Sequence, residues 1–181
     1  MSDEASVWQR YRATLAVWIR LYVDPHLRER VDLSGIVQQT LLEAHQANVL
    51  AQVPADDHRL AWLRRTLANN VTDELRKLRA DKRDLDREQS LERSSVRLAD
   101  WLVAEQSSPS GAAQQAEENW RLAHALTTLP DAQREALILQ HWHGWSLAQI
   151  GTHLERTPVA VAGLLKRGLA HLRQQLGEPP T

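Results

Sequence analysis

The chain has 181 residues, 43% of them hydrophobic, and a formal net charge of -1; this allows one or two domains with buried cores and argues against indiscriminate coating of nucleic acid. Cysteine is absent, which excludes disulfides, thiolate metal sites and a cysteine nucleophile and fits a reducing cytoplasm. The first residues are acidic and polar, and no apolar run approaches the roughly 20 residues that a bilayer crossing needs, so neither export nor membrane anchoring is expected.

Leu, Ala, Arg, Gln and Glu dominate, with little strand vocabulary, and the expected fold is all-α. Val7, Tyr11, Leu15, Trp18 and Tyr22 recur at helical spacing and predict one amphipathic helix that stops before Asp24-Pro25. A second helix is expected from about Leu33 to Val49, with Ile36, Val37, Leu41 and Ala44 inward. Val53 to Asp57 reads as a loop. Leu60, Leu63, Leu67, Val71, Leu75 and Leu78 then mark a long helix, with Trp62 as a core anchor. From Arg59 to Arg87 there are nine basic and five acidic residues, whereas residues 3–57 carry eight acids and five bases. Such polarity either faces two different partners or is a solvated surface.

From Ser90 to Glu118 the apolar period weakens, and Ser107-Ser108-Pro109-Ser110-Gly111 is the clearest breaker cluster. The expected organisation is two small helical domains, residues 1–90 and 116–181, joined by a linker over 91–115 that includes a short helix around Trp101. Past the linker, Ala116 to Leu126 reads as helix, Leu129-Pro130-Asp131 restarts the chain, and Ala132 to His143 forms a helix ending near Gly144.

Ser146 followed by Gln149 is a capping box that starts a helix, and Thr157-Pro158 starts another after Glu155 and Arg156. This is helix-turn-helix spacing, with Gly151 small where the two helices approach. On the second helix Val161, Leu164, Leu165, Gly168, Leu169, Leu172 and Leu176 share one arc, and Gly163, Lys166, Arg167, Ala170 and Gln174 fall opposite. A packed back and a small, basic front suit a helix lying in a DNA groove. A capped hairpin within a bundle has the same pattern.

Leu129-Pro130-Asp131-Ala132-Gln133-Arg134-Glu135-Ala136-Leu137 and Gly144 to Gly151 resemble the C-terminal domain of the extracytoplasmic-function group of bacterial sigma factors. Gly35 to Ala44 is similar to that family's polymerase-docking helix, and Trp62-Leu63-Arg64-Arg65 through Asn69 to Arg76 to its minus-ten segment. The resemblance implies a non-enzymatic, cytoplasmic protein without cofactor or metal, whose partners are core RNA polymerase and promoter DNA. It places Arg156, Thr157, Lys166 and Arg167 on the minus-thirty-five element, and Arg59, Arg65, Asn69, Arg76 and Lys77 on the minus-ten element. Asp32, Ile36, Gln38, Gln39 and Leu42 would dock on polymerase. Glu155 replaces the family's turn glycine, and Ala162 and Leu164 stand where it often has basic residues. Asp32-Leu33-Ser34-Gly35 retains one acid of the family's acidic cluster, which makes Ser34, and less so Thr40, candidate phosphorylation sites. An anti-sigma factor or a Ser/Thr kinase are candidate regulators. The competing reading is a helix-turn-helix regulator that never enters polymerase. An enzyme is the third: His141, His143 and His153 lack the carboxylate or thiolate partners that would complete a metal site.

Overall fold

The computed structural model describes residues 2–53, 55–80, 89–97 and 109–177, and among these every regular element is helical, with no strand. The chain divides into two compact units, Met1–Trp120 and Arg121–Thr181. None of the described helices is long and apolar enough to cross a membrane.

In the first unit α1 (Ser2–Tyr22), α2 (Leu33–Gln46) and α4 (Asp56–Ala80) pack against one another. Tyr11, Leu15 and Trp18 are buried as their period predicts, but so are Thr14, Val17, Ile19 and Leu21. The helix touches both α2 and α4, and a helix enclosed by neighbours buries more than one stripe. Asp56, at the start of α4, accepts hydrogen bonds from Arg10 at 3.0 Å and from the Tyr11 hydroxyl, fixing that end of α4 to α1.

After α1, Asp24 caps a single 3-10 turn, Pro25–Leu27, accepting from His26 N at 3.1 Å. Arg28 reaches back to the carbonyl of Arg20 at 2.6 Å, covering an acceptor that the helix end leaves open. The helix expected to run to Val49 stops at Gln46: Asn48 takes a left-handed conformation (φ 50°, ψ 42°), and α3 (Val49–Gln52) is a separate turn. Asparagine tolerates that region better than most residues. Along α4 the predicted row Leu60, Leu63, Leu67, Val71 and Leu75 is buried, while Leu78 is only partly so.

Residues 89–97 form helix α5, so the expected linker contains ordered helix in its first part. Leu91 and Ser94 are buried, and the Ser94 hydroxyl accepts from Asp24 N at 2.9 Å. The region around Trp101, and Ser107 and Ser108 of the breaker cluster, lie outside the described residues. Pro109, Ser110 and Gly111 open α6 (Pro109–Thr127) instead of breaking the chain; proline costs no hydrogen bond in a first helical turn.

The second unit is built on α7 (Asp131–His141), α8 (Leu147–Leu154) and α9 (Pro158–Leu176), which pack mutually. Leu126, Leu137, Ile138, Leu139, Ile150 and Val161 are among its most deeply buried aliphatic side chains.

Candidate nucleic-acid interface

Local chemistry sets the geometry of α8 and α9. Gln149 N donates to Ser146 Oγ at 3.3 Å and Ser146 N donates to Gln149 Oε1 at 2.9 Å, closing the predicted capping box. Thr157 Oγ1 accepts from Ala160 N at 3.2 Å, with Pro158 in the first helical position. Between them Arg156 N donates to Gly151 O at 2.8 Å. A Cβ on Gly151 would stand 2.6 Å from Arg156 O, so only glycine lets the turn close over α8. Glu155 occupies the turn in a left-handed conformation (φ 54°, ψ 47°), where a side chain is strained by about 1–2 kcal/mol. A Cβ on Gly168 would lie 2.9 Å from Leu137 Cδ1, which makes this glycine the point where α9 seats on α7.

The predicted arc is the packed one: Val161, Leu164, Leu165, Gly168 and Leu172 are buried, with Leu169 and Leu176 partly covered. Leu164, at a position where the resembled family often has basic residues, faces the core. On the other side Ala162, Lys166, Arg167, Ala170 and Gln174 are exposed, and Val159 is 83% exposed. Arg156 and Thr157 are exposed at the helix start. The Arg167 guanidinium folds back over Gly163, 3.2 Å from where a Cβ would be. No acidic residue occurs in α9. The exposed front therefore carries positive potential over a low, mostly apolar relief, which favours a polyanion with shape to match.

Residues 120–172 match the family model "Sigma-70, region 4". The match takes in the last turns of α6 and the helix-turn-helix of α8 and α9 as far as Leu172. No curated protein and no solved structure gives a significant match to the chain. Arg156, Thr157, Lys166 and Arg167 all fall inside the matched residues.

Sequence reasoning missed a polar cluster within the matched residues. Glu135 is buried, His153 Nε2 stands 4.0 Å from its carboxylate, and the His153 ring meets Trp145 edge-on at 5.4 Å. Among the described residues, no three His, Cys, Asp or Glu side chains gather where they could hold a metal ion.

In the first unit Arg65, Asn69 and Arg76 are exposed on one face of α4, with Arg76 paired to Asp73 at 3.1 Å and Lys77 to Glu74 at 3.1 Å. Arg59 belongs elsewhere. Its Nε donates to Val53 O at 2.5 Å and its Nη2 to Leu50 O at 2.8 Å, so it ties α3 to α4 and is spent on the protein's own backbone. Trp62 is partly buried. Arg64, counted from sequence among the basic excess, is buried; burial pulls its guanidinium below the ordinary arginine range, which Tyr22 partly offsets. Its position one turn from Leu60 and Leu67, inside the apolar row, is the signal that could have revealed this.

Asp32 is the N-cap of α2, accepting from Gly35 N at 2.8 Å, and a Cβ at Gly35 would run into its carboxylate. Ser34, in the first turn, is exposed and does not serve as the cap. Gln38, Gln39 and Leu42 are exposed on the outer face, but Ile36 turns into the core. Thr40 is fully buried, donating to Ile36 O at 2.8 Å and accepting from Asn70 Nδ2 at 3.1 Å. A kinase cannot reach that hydroxyl without parting α2 from α4, so the structure speaks against Thr40 as a phosphorylation site.

Proposed function

We propose that this chain is a sigma factor of the extracytoplasmic-function type, which joins core RNA polymerase in the cytoplasm and directs promoter-specific initiation. The observation that carries the reading is the acid-free, exposed front of α9 within the sigma-70 region 4 match. In this reading α9 enters the major groove of the minus-thirty-five element, with Arg156, Lys166 and Arg167 neutralising phosphates. Arg65, Asn69, Arg76 and Lys77 act on the minus-ten element from α4. Asp32, Gln38, Gln39 and Leu42 present α2 to polymerase, and the two ends of the chain work as separate domains on either side of the intervening segment. Ser34, exposed beside Asp32, is where a Ser/Thr kinase would add charge; an anti-sigma factor is the other regulator consistent with this role.

Transcription from a promoter library with purified core bacterial RNA polymerase tests the reading. Initiation at a defined subset of promoters, dependent on the added chain, is the expected result. Alanine at Arg156, Lys166 and Arg167 should weaken that activity and flatten its salt dependence. Sequence-specific DNA binding without any polymerase-dependent initiation would assign the chain to the regulators that work outside the holoenzyme.

A further inference from the structure

Base recognition by a helix-turn-helix falls to the first turns of its second helix. In α9 those turns offer Pro158, Val159, Ala160, Ala162 and Gly163, none of which has a hydrogen-bonding side chain. Thr157 is engaged as the cap. Val159, 83% exposed, is an aliphatic side chain with no core to pack on. Lys166 and Ala170 follow it along the same face at helical spacing, and Arg167 lies over Gly163 beside it. Basic groups thus flank an apolar strip, the inverse of a helix that reads donors and acceptors.

We infer that Val159, supported by Ala162, reads the 5-methyl group of thymine in the major groove. The inference rests on the promoter-binding reading and deepens it by naming the base feature recognised. The thymine methyl is the one apolar mark that base pairs present in the major groove, and small aliphatic side chains are its usual complement. Lys166 and Arg167 supply affinity through phosphates, while Val159 supplies discrimination. Because Val159 is 83% exposed, its replacement leaves the fold intact.

The test uses the full-length chain, with and without core bacterial RNA polymerase, to select duplexes from a randomised library. The selected duplex is then remade with deoxyuridine in place of each thymine in turn, which deletes only the methyl group. At one or two upstream positions uracil should lower affinity about fourfold, the loss expected for one buried methyl. Val159→Ala should narrow the difference between the thymine and uracil duplexes while keeping the parent's salt dependence. A selected duplex indifferent to uracil at every position overturns the inference and leaves promoter binding standing. Undiminished discrimination by Val159→Ala overturns it as well, and failure to select any duplex overturns both readings together.

Discussion

The carboxylate of Asp24, buried after the end of α1, meets Arg93 Nε of α5 at 3.0 Å, across a long stretch of sequence. Arg97 stands 3.9 Å from the same oxygen, and Asp24 N donates to Ser94 Oγ. One residue therefore caps its own turn and holds α5 against the first unit. Burial pulls the Arg97 guanidinium below its ordinary range, and Asp24 counteracts this.

Asp24→Ala should release α5. It removes a charged hydrogen bond to a half-exposed partner and a cap, together about 1.5–3 kcal/mol. Hydrogen exchange should show residues 89–97 losing protection before α4 does. Unchanged protection there would mean that packing by Leu91 suffices.

Thr40 and Ser34 should respond in opposite ways to added charge. Thr40→Asp places a carboxylate in a fully buried site and should unfold the first unit, while Thr40→Val should cost about 1 kcal/mol, the loss of Asn70's partner. Ser34→Asp lies in the exposed first turn of α2, where negative charge is stabilising by about 0.3–1 kcal/mol. Thermal melting distinguishes them. If charge at Ser34 serves as a switch, Ser34→Asp also tightens core polymerase binding in a salt-sensitive way and Ser34→Ala does not.

Arg59→Ala and Asn69→Ala should separate structure from function on α4. The first frees the carbonyls of Val53 and Leu50 and should lower stability by about 1–3 kcal/mol. The second touches an exposed side chain and should spare the melting temperature while impairing promoter opening. Parallel losses of stability in both variants would make Asn69 structural.

Glu155→Gly should stabilise the second unit by about 1 kcal/mol or less, since glycine enters the left-handed region without strain but loses more chain entropy. Gly151→Ala should destabilise it by at least about 1–3 kcal/mol, because the new methyl meets backbone at Arg156 that cannot swing aside. Denaturant titration of the two variants measures both.

Stability of the first unit should fall in alkali. Burial, followed by the hydrogen bond to Asp56, raises the Tyr11 phenol above its ordinary 10.0, and burial raises Tyr22 too. A raised folded pKa gives a contribution that is complete below about pH 10 and lost as the pH climbs through the folded value. Tyr11→Phe should flatten that decline in a pH series of melts.

The sequence by itself determined the helices and their starts in the second unit. Capping box, Thr-Pro start and the leucine arc of α9 are local: each depends on residues within a turn or two, and every one stands where the spacing put it. The same holds for the buried row of α4. Tertiary structure decided which polar residues are available. Arg59, Arg64 and Thr40 read as surface groups in a linear scan, but Arg59 is bound to backbone carbonyls, and Arg64 and Thr40 are enclosed. Likewise, nothing near Asp24 in sequence announces Arg93 and Ser94 as its partners. Periodicity tells which face of a helix is apolar, but the number of neighbours that cover it, and the polar groups they bring along, are fixed only when distant segments meet.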